Sequence, residues 1–379
     1  MSATEESLHL GKIAGVRIGA NWSLVVVVWL IAWSLASNGL PIEAPGYSRV
    51  EYWVAGVIAS VAFFACLLAH ELSHSVVARR HGVEVEGIVL WLFGGVSRLK
   101  GEAAEPGLEL RIAVAGPMMS LLLAGGFLGL SQLVDASAGT TLFGATLGWL
   151  GWINGILAVF NLLPAFPLDG GRVLRAWLWS RHGDKTKATL TAAGAGRIFG
   201  FILIGLGLFE FASGIAVGGL WFVFLGWFLI NAAAAEAAGS LLTTQLAGVL
   251  VRDVMTPHPI VAPAAMTVDE LLEQFIYPNR CSTFPLADAA GTVVALLTLA
   301  RVKHVSAHLR ATTRCGDVGT PLAEVVSCGP DDGLLGLLGR LGTSVDQRAL
   351  VFDAAGLAGI VSPSDISRAM QQAELSRPS

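Results

Sequence analysis

The run Val54–Ala69 carries no charged residue, and it leads directly into His70, Glu71 and His74, spaced as H-E-x-x-H. An apolar stretch of this kind reads as a membrane-crossing helix. Ionisable groups at its end are costly to hold there, so they mark function. On a helix, residues four apart lie one above the other, so both imidazoles face one point with Glu71 beside them. That geometry suits a zinc ion. The same five residues in a soluble protein would equally describe a solvated histidine pair, and the membrane setting decides against that reading.

Further apolar runs cover Trp22–Ser37, Leu110–Leu133, Leu142–Leu163, Ile198–Phe211 and Leu220–Ala235, which predicts six spans within residues 22–240. Composition agrees: 54% of residues are hydrophobic and 14% charged, against about a quarter charged in an average soluble protein. Residues 1–21 form a polar segment with Lys12 and Arg17. The run after it is tryptophan-rich (Trp29, Trp33) and lacks a cleavage signal, so it reads as an uncleaved span. Six spans put both termini on one side. Lys12, Arg17, the Arg79/Arg80/Arg98/Lys100/Arg111 group and the Arg172–Arg197 group fall on that side, which the positive-inside rule makes cytoplasmic. A multi-pass cell-membrane protein with cytoplasmic termini and lipid around it is expected. The net charge of −4 and dispersed basic residues argue against a nucleic-acid partner. Cys66, Cys281, Cys315 and Cys328 make neither a C-x-x-C pair nor a disulfide framework.

Val83–Lys100 has a different texture. Val83-Glu84-Val85-Glu86 alternates, Ile88–Phe93 is apolar, and Gly94-Gly95 is a two-residue turn signal, so the segment predicts a β-hairpin. It either dips into the membrane with its backbone covered by protein or lies on the surface as an amphipathic hairpin. In the third span Gly116-Pro117 permits close helix approach and a kink. The fourth span runs into Asn161–Arg172, where Pro164 and Pro167 break the helix and Asp169 stands as an isolated carboxylate. Catalytic zinc keeps three protein ligands and one open position, and Asp169 is the best third ligand. Glu71 is then the general base. Asn161 serves either as an oxyanion donor or as an interhelical hydrogen-bonding residue. Glu102, Glu105 and Glu109 read as a solvated face. A helical substrate hides its carbonyls in its own hydrogen bonds, so it must unwind, and a strand edge within Val83–Leu99 offers replacement partners.

From Gln245 onward the composition becomes that of a soluble α/β domain with two similar halves. Asp253-Val-Met-Thr256-Pro257 recurs as Asp317-Val-Gly-Thr320-Pro321, and Val293–Thr298 recurs as Leu357–Ser362. Residues 241–310 and 311–379 are the expected repeats.

With these residues in hand, H-E-x-x-H at His70–His74, Phe93-Gly94-Gly95, Gly116-Pro117 and Asn161–Arg172 (NLLPAFPLDGGR) resemble the site-2 protease family of intramembrane zinc metalloproteases, in its prokaryotic six-span branch with a C-terminal CBS pair. The resemblance covers nearly the whole chain. It implies zinc ligands His70, His74 and Asp169, catalytic Glu71, a supporting Asn161, a substrate-binding turn at Phe93, Gly94 and Gly95, and cleavage of a transmembrane protein such as a membrane-tethered regulator. The repeats resemble CBS domains, which implies an adenosine nucleotide in the cleft between copies or a dimerising module that pairs two chains. The motif that would hold the ribose ends in Ser362 and Asp365 in the second copy, whereas Arg301 replaces the acid in the first, so one nucleotide site is expected. The implied fold class is a polytopic α-helical membrane protein, with six transmembrane helices plus a membrane-associated β-hairpin and a C-terminal α/β tandem CBS domain. The rival functions are a CBS-gated transporter and an inactive membrane adaptor. A transporter would scatter ionisable residues over several spans with internal symmetry, whereas this chain concentrates them at two motifs.

Overall fold

The structure is a computed structural model and describes residues 8–375 apart from 92–93, 101–102, 215, 280 and 343. The chain divides into two compact units, Met1–Ser240 and Leu241–Ser379.

In the first unit six helical segments are long and apolar enough to cross a membrane. The first joins α1 (Ser23–Ser34), a π turn (Leu35–Gly39) and α2 (Leu40–Glu43). The others are α3 (Arg49–Arg80), α4 (Pro106–Ala138), α5 (Leu142–Asn161), α7 (Lys185–Ala212) and α8 (Ala216–Gln245), with the short α6 (Asp169–His182) between α5 and α7. Trp29, Leu122, Ile198 and Phe209 each expose more than half their surface. Outward apolar faces of this extent suit lipid rather than water.

Local chemistry explains where α3 begins and ends. Ser48 Oγ accepts from the Glu51 amide at 3.3 Å while Glu51 Oε2 accepts from the Ser48 amide at 2.7 Å, which is a capping box. Arg79 and Arg80 occupy the last turn, where cations favour the helix dipole. Gly82, at φ +82°, turns the chain away. At 1.5 Å per residue α3 is about 48 Å long, and His70 stands about 32 Å along it.

The hairpin is part of a larger sheet in the order β1-β2-β3-β4, made of β1 (Leu8–Ile13), β2 (Val16–Ala20), β3 (Glu84–Trp91) and β4 (Gly94–Lys100). The N-terminal segment supplies two of these strands. Val16, Ile18 and Ala20 are buried, an alternation too short to stand out in the sequence. Gly94 and Gly95 are not the turn: they lie within β4 and pair with Trp91 and Leu90 of β3. β3 lies between β2 and β4, which leaves β4 as the free edge on this side.

The solvated face expected at Glu102, Glu105 and Glu109 is also revised. Glu105 is exposed and Glu102 lies outside the described residues, but Glu109 is 1% exposed and binds Arg175 of α6. A helical turn separates Glu105 from Glu109, and that turn carries the chain from the surface to the interior. Arg175 is therefore no free loop cation either.

In the second unit the duplication becomes two four-stranded sheets. One holds β6 (Ala262–Pro263), β7 (Thr283–Ala287), β8 (Val293–Thr298) and β9 (Thr320–Pro321). The other holds β10 (Val326–Cys328), β11 (Ala349–Asp353), β12 (Gly356–Val361) and β5 (Thr256–Pro257). The repeated Thr-Pro pairs thus cross over, each closing the sheet of the opposite half. Leu296, Leu350 and Ile360 pack in one buried cluster that draws on both sheets.

Burial pushes the Cys315 thiol up to about 11, with Glu270 adding to it, and burial with Asp332 does the same for Cys328 at about 11. An unfolded chain would release these protons nearer 9. The unfolded state therefore gains charge first, and the second unit should lose stability as pH rises from about 9 towards 11. Maleimide at pH 8 should label half-buried Cys281 in the native protein and reach Cys315 and Cys328 only in denaturant, as peptide mapping by mass spectrometry would read.

Candidate metal centre

His70 and His74 project from one face of α3, and Asp169 is the first residue of α6. The break before α6 is tight. A side chain at Gly171 would meet the Phe166 amide nitrogen at 2.5 Å, and one at Gly170 would strike the Leu162 and Leu163 carbonyls, so only glycines let the chain double back there. Asp169 Oδ2 lies 3.1 Å from His70 Nε2 and 3.2 Å from His74 Nε2. The three ligand atoms lie within 4.8 Å of one another, and both imidazoles are at most 5% exposed.

The outer ring nitrogens are committed. His74 Nδ1 donates to the Ile112 carbonyl at 2.6 Å, and a carbonyl can only accept. His70 Nδ1 pairs with Ser120 Oγ at 2.8 Å. In the neutral His74 ring, Nε2 therefore turns a lone pair towards a carboxylate oxygen, an arrangement that a bound metal ion relieves. Tetrahedral zinc at its usual ligand distances separates two ligand atoms by about 3.3 Å, which the two histidine–aspartate spacings match. The residues fit the ion.

α4 closes the back of this centre. Glu109, Ile112, Gly116 and Ser120 follow one another at spacings of three, four and four and so share a helix face. A side chain at Gly116 would reach within 2.5 Å of His70 Nε2 and collide with His74 Nε2, so glycine leaves open the space where the ligand atoms converge. Gly95 of β4 plays a similar part for Glu71, since a Cβ there would strike the glutamate's Cγ and lie 3.1 Å from its Cδ. A cavity of about 840 Å³ opens over the centre and is lined by His70, Glu71, His74, Asp169, Asn161 and Gly95.

The comparisons with known proteins bear on this geometry directly. The sequence profile of peptidase family M50 matches residues 58–136 and 125–206, and the CBS profile matches 251–308. The chain is 43% identical to Rip3 of Mycobacterium tuberculosis over 375 residues, 98% of this chain and 95% of that one. This chain belongs to peptidase family M50. It is also 29% identical to zinc metalloprotease MJ0392 of Methanocaldococcus jannaschii over 370 residues, 97% of each. Among solved structures, the site-2 protease from Methanocaldococcus jannaschii matches with a TM-score of 0.42 and 30% identity, over 61% of this chain and 94% of that one.

In this M50 chain the residues singled out from sequence gather unevenly. His70, Glu71, His74, Asp169, Asn161, Gly94 and Gly95 line one cavity, whereas Phe93 lies outside the described residues. Ser362 and Asp365 belong to the second unit. Asp365 is 4% exposed and accepts from Ser362 Oγ at 2.6 Å and from Thr256 Oγ1 at 2.9 Å. In the first copy, where Arg301 stands in place of the acid, Asp346 takes the equivalent post. It accepts from Thr320 and lies 3.5 Å from Thr298 Oγ1 and 3.3 Å from Arg301 Nε. That carboxylate comes from a different stretch of chain, so no local motif reveals it. Ser120 and the Ile112 carbonyl escaped the sequence reading because serines and carbonyls carry no signature until a partner is brought to them.

Gly116→Ala should lower zinc retention about tenfold or more while the protein stays folded, because loss of an orienting neighbour alone costs that much. Metal analysis after gel filtration would read it. Gly95→Ala should instead keep the metal and lose activity, since its closest clash is with Glu71 and none is with His70, His74 or Asp169.

Proposed function

We propose that this M50 chain is an intramembrane zinc endopeptidase that cleaves transmembrane proteins, such as membrane-tethered regulators, and is modulated by its CBS pair. One observation carries the reading: His70, His74 and Asp169 converge on a single point in the cavity that also holds Glu71. When bound, zinc supplies a Lewis acid that polarises the scissile carbonyl and makes water a better nucleophile near neutral pH.

The chain's own groups do the rest. Glu71, held against Gly95, takes a proton from the attacking water and returns it to the leaving amine. Asn161, at the end of α5, presents an amide to the charge that develops on the carbonyl oxygen. Apolar walls from Phe63, Leu67, Leu157 and Phe228 accept the substrate's side chains and limit water. The free edge of β4, with Gly94 and Gly95, receives the unwound substrate as an added strand, replacing the hydrogen bonds its helix gave up. Both termini and the CBS pair lie on the cytoplasmic side, as the distribution of lysine and arginine favours. The second unit takes an adenosine nucleotide at Ser362 and Asp365, where a buried carboxylate is placed to accept from ribose hydroxyls.

Glu71→Gln should keep its zinc and lose about 10²–10⁴-fold in cleavage of a model transmembrane substrate. A parent protein devoid of metal, processing substrate no faster than the variant, would refute the protease reading. N-methylation of successive backbone amides in a substrate peptide should slow cleavage at every second position only, since alternate amides of an added strand face the β4 edge. A uniform effect would exclude strand addition. ATP or AMP should raise the melting temperature of the full-length protein, and Asp365→Asn should remove that shift.

A further inference from the structure

We infer that the Glu109–Arg175 ion pair sets the register of α6 against α4 and so delivers Asp169 to the two imidazoles, making Arg175 a positioning residue for the metal centre. The inference rests on the reading of His70, His74 and Asp169 as ligands. Both partners are buried, Glu109 at 1% and Arg175 at 7% exposed. Arg175 Nε donates to Glu109 Oε1 at 2.6 Å, and Nη2 binds the same oxygen.

The placement of the pair within the two helices carries the argument. Glu109 begins the α4 face that continues through Ile112, Gly116 and Ser120, the residues that orient His74, leave room at Nε2 and orient His70. Arg175 lies on the same short helix as Asp169, about one and two-thirds turns further on, so the rigid helix ties their positions together. α4 therefore carries a member of the ion pair and the groups that orient the imidazoles on one face, and α6 carries the other member and Asp169 within its first two turns. A slip of α6 along α4 by one residue would break the pair and carry Asp169 away from the imidazoles together. Leu168, at the N-cap of α6, offers that helix no side-chain hydrogen bond.

The pair is poorly suited to stabilisation alone. Buried ion pairs rarely outperform well-packed apolar residues, and fixing register is their best-attested use. Glu109 Oε2 is buried with no hydrogen-bond partner, so the charge is held at a cost that plain packing would avoid. Arg175 is itself fixed from two further directions, by Phe166, whose ring centroid is 5.0 Å from its guanidinium carbon, and by Glu236 of α8, whose Oε1 is 3.1 Å from Nη1. Phe166 stands three residues before Asp169.

The test uses full-length protein in detergent, comparing the parent with R175M, E109Q and the charge-exchanged double variant E109R/R175E. Zinc loss to a chelator is followed by metal analysis, folding by gel filtration and melting temperature. Both single variants should lose zinc about tenfold faster than the parent, and the double variant should recover most of that loss, the size expected of groups that orient metal ligands. Folded single variants that keep zinc as the parent does would overturn the inference. If the single variants fail to fold, a folded double variant that retains zinc supports it, and failure of all three counts against it, because exchanged charges should still hold the register. A parent without zinc would instead sink the metal reading, so the two failures are distinct.

Discussion

Two imidazole nitrogens and one carboxylate oxygen meet on largely buried side chains at the wall of one cavity, and the rest of the membrane unit is arranged so that they can. Groups that turn lone pairs on one another repel unless a cation lies between them, and burial removes the water that would soften the repulsion. The arrangement therefore holds only if each group is fixed from behind. Ser120 and the Ile112 carbonyl do this for the histidines, and the tight reversal before α6 does it for Asp169.

Rigid helices make this economical. One long helix carries His70, Glu71 and His74, so their mutual geometry needs no tertiary adjustment. α4 then serves the centre along a single face, with a carbonyl, a gap and a hydroxyl at successive turns. Pro117 sits within that stretch and cannot donate to the Ala113 carbonyl. The helix thus loses one internal bond beside the place where it accepts one from His74. The sheet contributes from the other side: Gly95 brings the β4 backbone against Glu71 of α3, which sets the proposed base beside the strand that carries the proposed substrate edge.

The second unit shows the same dependence on distant chain. Each of its sheets is completed by a Thr-Pro strand from the other half, so neither repeat forms its sheet alone. Its two carboxylate posts are filled by different routes, locally by Asp365 and from a separate loop by Asp346. A duplicated sequence has become a pair of sheets whose buried carboxylates differ in origin.

Much of this was legible before any coordinates. The six spans followed from apolar length, since a bilayer admits little else. The H-E-x-x-H pair followed from helical periodicity, and Asp169 from its isolation at a proline break. Other features depended on residues far apart in sequence. The solvated reading of Glu109 failed because a charge on an amphipathic turn cannot reveal that an arginine from another helix will cover it. The N-terminal strands were hidden because five residues of alternation are too few to distinguish from a tail, and Gly94-Gly95 looked like a turn because register is set by pairing rather than composition. Sequence alone therefore determined which chemical groups the chain sets within and beside its long apolar helices, because local periodicity and hydropathy are properties of neighbouring residues. Only the tertiary structure decided how those groups face one another, because the partners that orient them lie on other helices and strands.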